Sequence, residues 1–389
     1  MARRTGVIRS LCVVALAATT VAACGTGGAG SGEGGSPSSG GTVTIGMTVP
    51  TSGLYAAEGA EMVRGAQLAA TTVNDSGGVL GSKIVLDIQD DQSNPQVGVA
   101  AVKKFQANGD NAIAAAYNST VGLAEIETVK REGTPFVSVI ASADGITSPN
   151  YPNVVATNSA FTTKEVPLTK YVAGKVRTAA FVLSNDDAGR GLFKVYQDAW
   201  SGGKGPQILS EAYYQPTDTD YSAIVTKAIA AKPDGLYVTG SAVTISTIMR
   251  ELKQLNSSIP FVWVSGEQVT PTAIKLAGGL LDGVTTASVY TTSGGDASTQ
   301  KFTADYRKAY PDQVPQYFSA TSYDAIMVVA QAMKGANSTT DKTKIAAAMR
   351  KVDFEGARGR NVFDANGRIN LTPYVTRVVN GEIQKVQDQ

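Results

Sequence analysis

The sequence predicts an α/β protein of two Rossmann-like lobes. Three features carry this reading. A strand–helix alternation begins at Thr42 and runs to about Ala156, the same alternation restarts after Ala156, and Gly25–Gly41 ahead of both contains nothing able to build a core. Strands that alternate with helices give a parallel sheet with helices on its two faces. A chain of 389 residues has the length for two domains of ordinary size.

Composition narrows the chemistry. Charged residues are 17% and aromatics 7%, which suits a globular chain. The formal net charge is +1, but Arg3, Arg4 and Arg9 lie in a segment expected to be removed, leaving 31 basic against 33 acidic residues. No clustered basic face for nucleic acid follows from that balance. The chain has no histidine, which excludes Ser-His-Asp and Cys-His nucleophile systems and His-ligated zinc. Its two cysteines, Cys12 and Cys24, both precede the folded part, so neither a disulfide staple nor a cysteine-held metal is expected there.

Residues 1–24 have the form of a targeting segment, with three arginines and then the apolar stretch Leu11–Val21, too short to span a membrane permanently. Gly25–Gly41 is almost entirely Gly and Ser and is expected to act as a flexible tether with an r.m.s. reach of roughly 20–25 Å. Within it Gly30-Ser31-Gly32-Glu33-Gly34-Gly35 matches GxGxxG formally. No strand precedes it and no helix follows, so no dinucleotide, and no other cofactor, is expected.

Val43, Ile45 and Met47 alternate with small residues as a first strand, ending in Pro50-Thr51-Ser52-Gly53. A helix from about Gly59 places Met62, Ala66, Ala69 and Val73 on one face and stops at Asn74-Asp75-Ser76-Gly77-Gly78. A strand over Lys83–Gln89 leads to Asp90-Asp91-Gln92-Ser93-Asn94-Pro95 and a second helix. Ala112–Tyr117 is an apolar run too brief for a helix, and Asn118-Ser119-Thr120 then opens one. Gly133 and Pro135 stop that helix before a strand over Phe136–Ile140, which ends at Ala141-Ser142-Ala143-Asp144. Two adjacent parallel strands thus end in hydroxyls, Ser119 and Ser142, on one edge of a sheet. That edge is where open α/β sheets bind ligands, and free amides at a helix N-terminus suit a carboxylate.

After Ala156 come strands at Thr178–Ser184, Ile208–Tyr213, Leu236–Thr239, Phe261–Val264 and Val284–Tyr290. Helices are expected from Asp186-Asp187-Ala188-Gly189 through Trp200, after a cap at Asp218 or Thr219, and over Ile245–Leu255. Thr291-Thr292-Ser293-Gly294-Gly295 has the composition of a hinge. Helices around Phe302–Tyr310 and Ala320–Lys334 are expected to return to the first lobe, and a hairpin over Asn361–Gln387 to pack on the second.

Taken in order, several motifs carry a resemblance. They are Pro50-Thr51-Ser52-Gly53, Asn74–Gly81, Asp90–Pro95, Asp220-Tyr221-Ser222, Lys232-Pro233-Asp234-Gly235, Tyr323-Asp324-Ala325 and Phe363-Asp364-Ala365-Asn366-Gly367. Over essentially Thr42–Val386 the chain resembles the type I periplasmic-binding-protein family, in the leucine/isoleucine/valine-binding branch of ABC importers. The resemblance implies a Venus-flytrap fold: residues 42–156 plus 293–357 in the first lobe and 160–289 plus 361–389 in the second. It places three hinge crossings near 156–160, 289–293 and 357–361. Val21-Ala22-Ala23-Cys24 is similar to a bacterial lipobox, which implies lipidation at Cys24 and an anchor on the extracytoplasmic face of the cell membrane.

By the same resemblance, Ser119 and Ser142, with Asn118 beside them, are expected to hold a ligand's α-carboxylate, and the carbonyl of Ile140 to meet its α-ammonium. Glu267 stands near the place of the acid that pairs with the ammonium, with Ser265 its competitor. Phe318 corresponds to a pocket aromatic, and Tyr55 and Glu58 are within reach of the cleft. Ala188 and Ser241 stand where amino-acid binders carry aromatics, which puts leucine-type specificity in doubt. The expected role is a monomeric, non-enzymatic receptor that delivers an amino acid or related carboxylate to an ABC permease, with no nucleic-acid partner. A ligand sensor, or a binder of an aromatic carboxylate or small amide on the same fold, is the alternative. A hydrolase reading of Ser119 fails for want of a base and of GxSxG around it.

Overall fold

A computed structural model describes residues 40–292 and 295–386. Cys24, the targeting segment, nearly all of the tether and the Ser293-Gly294 portion of the expected hinge lie outside the described residues. The first half of the chain lays down β1 (Thr42–Val49), α1 (Ala56–Asp75), β2 (Lys83–Asp90), α2 (Pro95–Asn108), β3 (Ala112–Ala115), α3 (Ser119–Glu132), β4 (Phe136–Ser138) and β5 (Val154–Ala156). These strands form one parallel sheet in the order β2-β1-β3-β4-β5. Burial on both faces explains why β3 is a continuous apolar run in place of an alternating one.

The chain then forms α4 (Phe161–Lys164), α5 (Val166–Ala173), β6 (Thr178–Ser184), α6 (Asp187–Trp200), β7 (Gln207–Tyr214), α7 (Ser222–Ile229), β8 (Gly235–Val238), α8 (Ala242–Gln254), β9 (Phe261–Val264), α9 (Pro271–Ala277) and β10 (Thr285–Ser288). Next come α10 (Ala297–Ala309), α11 (Tyr317–Ala336), α12 (Lys342–Met349), a small hairpin of β11 (Asp353–Gly356) and β12 (Gly359–Val362), and finally β13 (Tyr374–Val379) and β14 (Glu382–Lys385). The second sheet has the order β14-β13-β10-β9-β8-β6-β7, with β13 and β14 antiparallel additions to a parallel core. Asp218 does not cap α7. Its carboxylate accepts from the amide of Gln215, and the helix starts later, at Ser222.

Each sheet is covered on both faces. On the first, α1 carries Met62, Ala66, Ala69 and Val73 into one core with Ile326, Val329 and Met333 of α11. Gly65 sets how near the two helices come, because a Cβ there would lie 2.0 Å from the carbonyl oxygen of Ser319. On the second, Phe181 is the hub of an aromatic cluster, with Phe193, Tyr196, Tyr237 and Trp263 at 5.0–6.0 Å between ring centroids. The third passage between sheets falls later than 357–361. Phe363, Ile369 and Leu371 are buried in the first core, and Ala156 bonds to Gly367 and Ile369. The second sheet takes the chain up again only at Tyr374, so Asn361–Leu371 packs with the first lobe in place of the second. The reason is apolar: three buried side chains hold this stretch where it is.

One buried group under the first sheet works against stability. Glu125 of α3 is fully buried and neither carboxylate oxygen has a hydrogen-bond partner. Gly98 of α2 leaves room for it, since a Cβ at 98 would come 2.7 Å from Oε1. Burial, reinforced by the nearby charge of Asp91, pushes the Glu125 carboxyl from its ordinary 4.5 up to about 8. In the window between those values the unfolded chain has lost this proton and the folded chain keeps it. Folding stability therefore falls as pH rises, by up to about 1.4 kcal/mol per unit, and the loss is complete above the folded value. Glu125→Gln should melt several degrees above the native chain at pH 8.5, with the difference shrinking toward pH 4.5. A difference that does not change with pH in thermal denaturation would show that Glu125 ionises freely in the folded protein.

Candidate functional site

Both sheets end their strands at a common cleft lined from both lobes. On the first-lobe side Asn118 caps α3, its side-chain oxygen accepting from the amide of Thr120 at 2.8 Å. Ser119 follows as the first helical residue. Its Oγ accepts from the amides of Ser142 and Ala143, both at 3.2 Å. A hydroxyl has two acceptor positions and one proton. With both acceptors committed, Ser119 has its O–H left to give, at the N-terminus of a helix whose first amides have no intrahelical partner.

Ser142 is differently committed. Its hydroxyl donates to the carbonyl of Ile140 at 3.0 Å and accepts from the side-chain amide of Asn158. Asn158 also donates to the Ile140 carbonyl and accepts from the hydroxyl of Tyr317. Both lone pairs of that carbonyl are thereby occupied by the chain itself. Asn158 and Tyr317 were not singled out in the sequence, and Thr157-Asn158-Ser159 offers no motif beyond its polarity. Aromatic rings complete this wall. Tyr55 packs on Tyr117 at 4.9 Å between centroids, and Phe318 on Tyr117 at 5.6 Å. Tyr55 and Tyr117 line the cleft, whereas Phe318 stands behind Tyr117 as core.

The second lobe contributes the loops after β6, β8 and β9. Asp186 caps α6, one oxygen accepting from the amide of Gly189 and the hydroxyl of Ser184, both at 2.8 Å, and Ala188 lines the cleft beside it. Gly240 follows β8 with φ +142°, and a Cβ there would come 2.7 Å from the Tyr214 hydroxyl. Ser241 is absent from the lining, since its hydroxyl caps α8 by accepting from the Thr244 amide at 3.1 Å. Ser265 and Gln268 do line the cleft, and the Gln268 side-chain oxygen is buried without a partner.

Glu267 does not line it. With φ +73° it turns its carboxylate to Lys164, 3.4 Å away, and borders a separate cavity with Gln316 and Tyr317. Lys164, unremarked in the sequence, lines the cleft. Burial raises the Glu267 carboxyl above its ordinary range, and the Lys164 ammonium opposes that. Among the described residues no group of three or more His, Cys, Asp or Glu could hold a metal ion, and no helix is long and apolar enough to cross a membrane.

Hydrogen bonds join the two sides. Thr120 donates to Asp187 at 2.7 Å, Gln316 to Thr272 at 3.2 Å, and the amide of Ala242 at the start of α8 donates to Glu58 at 2.9 Å. Glu58 therefore spans the lobes and is not itself part of the cleft lining. Burial raises its carboxyl, opposed by the Ala242 amide, and its second oxygen is buried without a partner.

A family described as periplasmic binding protein matches residues 42–382. Among curated relatives, the Leu/Ile/Val-binding protein BraC3 of Rhizobium johnstonii is 27% identical over 320 residues, covering 81% of this chain and 85% of that protein. Two solved structures share the fold. LivJ of Streptococcus pneumoniae, a branched-chain amino acid transporter substrate binding protein in complex with isoleucine, has a TM-score of 0.80 and 24% identity over 88% of this chain and 98% of that one. A solute binding protein of an ABC transporter from R. palustris, in complex with benzoate, has a TM-score of 0.82 and 22% identity over 89% and 96%.

The Glu58 contact generates a direct test of closure. Removing one hydrogen bond of about 1 kcal/mol should lower the closed-to-open ratio about fivefold. Glu58→Ala is accordingly expected to bind ligand several-fold more weakly and to show a larger ligand-free radius of gyration in small-angle scattering. An unchanged profile and affinity would mean that this contact does not hold the lobes together.

Proposed function

We propose that this chain, which belongs to the periplasmic binding protein family, is the extracytoplasmic solute receptor of an ABC importer and grips a small ligand by its carboxylate. The observation that carries the reading is the state of Ser119. Its two acceptor positions are taken by the amides of Ser142 and Ala143, and its remaining proton sits at the N-terminus of α3 beside the cleft. A carboxylate can accept that proton and amides of the same helix start in charge-assisted bonds, without a buried counter-charge. The ligands named for the two neighbouring structures, isoleucine and benzoate, have a carboxylate in common.

In this reading the lobes rotate about the three passages between them, where a few backbone torsions absorb the motion. Cys24 is lipidated, and the Gly/Ser-rich tether holds the binding unit near the membrane surface, where the permease takes over the ligand. Cys24→Ala should move the protein from the membrane fraction of its native cells into the medium. Retention in the membrane fraction would contradict the anchor.

The carboxylate grip is tested by two serine variants that the geometry separates. Ser119→Ala removes a bond to a charged group, worth about 1.5–3 kcal/mol, so calorimetry should show affinity reduced roughly ten- to a hundredfold. Ser142→Ala should cost clearly less, because its proton is spent on Ile140. Native affinity in Ser119→Ala would place the carboxylate elsewhere.

A further inference from the structure

The cleft carries an ammonium group of its own. Lys164, on α4 just past the first passage between lobes, lines the cleft with its side chain 8% exposed. It sits 5.3 Å from the Phe161 ring centroid and 3.4 Å from Glu267, whose side chain is 3% exposed. The carboxylate nearest to where a ligand's ammonium was expected to find a partner thus already holds an ammonium. The second expected partner, the Ile140 carbonyl, is filled by Asn158 and Ser142. Asp186 also lines the cleft, but one of its oxygens caps α6, and the helix N-terminus answers its charge.

The remaining offer to a ligand is lopsided. Ser119 has a proton to give at the start of α3, and Lys164 has three N–H groups, one of them directed to Glu267. Tyr55, Tyr117 and Phe161 supply aromatic surface, and the Gln268 oxygen is a neutral acceptor without a partner. We propose that Lys164, held by Glu267, is a specificity-determining residue of this cleft, and that the ligand is a carboxylate lacking an α-ammonium group, with an apolar or aromatic body. This rests on the carboxylate reading above. A zwitterionic amino acid would bring a second ammonium beside Lys164 to compete for Glu267, whereas a simple organic acid finds donors at Ser119 and Lys164 and leaves the Asp186 carboxylate to its helix cap.

Matched pairs that differ by the ammonium group test this. Calorimetry would compare 4-methylpentanoate with leucine and 3-phenylpropanoate with phenylalanine on the whole chain. The acid of at least one pair should bind at least tenfold more tightly than its amino acid. Lys164→Met leaves Glu267 without its cation, so the acid should weaken at least tenfold and the preference should move toward the amino acid. Because that variant strands a buried charge, the Lys164→Met, Glu267→Gln double variant serves as the folded control, checked by its melting temperature. In it the acid should also weaken, with the preference over the amino acid lost. An amino acid that binds the native chain as tightly as its acid overturns the proposal and leaves the carboxylate grip standing, as does a double variant that keeps the native preference. If neutral amides bind and no acid or amino acid does, the carboxylate grip fails and this proposal with it.

Discussion

The hydroxyl of Ser119, accepting two amides from the loop that follows β4, ties the ends of two adjacent strands together and fixes the floor of the cleft. Adjacent parallel strands such as β3 and β4 leave the amides just past their ends without ladder partners. Here one side chain satisfies two of them and orients its own proton in doing so. The position of Ser142, the turn at Ala143 and the start of α3 all depend on that tie. Asn158 and Tyr317 extend it, so that the floor of the cleft is joined to the first turn of α11 through buried hydrogen bonds.

Local signals made this part of the molecule readable from sequence. A short apolar run, an Asn-Ser-Thr elbow and helical spacing after it identify a strand, a cap and a helix, and β9 was found at its observed bounds for the same reason. The second wall of the cleft was less legible because its contacts are long in sequence. Lys164 and Glu267 are 103 residues apart and neither sits in a motif. Spacing after β9 brings Glu267 close to the cleft, but a left-handed backbone at that residue turns the side chain away from it. The last passage between lobes was placed too early because Asn361–Leu371 reads as polar hairpin. Its few apolar residues, Phe363, Ile369 and Leu371, are buried in the first core, and nothing local distinguishes them.

Glu267, Glu165, Asp324 and Glu58 are all buried carboxylates, and the chain handles each by a different means. Glu267 takes a lysine, and Glu165 accepts from the Gly266 amide and the hydroxyls of Tyr196 and Tyr237. Asp324 takes Arg358 in a pair with both side chains fully buried. Glu58 has one amide across the lobes and a second oxygen without a partner, which makes it the least compensated of the four. A contact of modest net strength suits the proposed rotation of the lobes.

In the proposed function the ligand's carboxylate lies on Ser119 at the N-terminus of α3. A crystal structure of the chain with its bound ligand tests it most directly. A carboxylate oxygen is expected within hydrogen-bonding distance of Ser119 Oγ at the start of α3, with the ligand's body against Tyr55 and Tyr117. A carboxylate seated elsewhere in the cleft, or a ligand that leaves Ser119 without a contact, would contradict it.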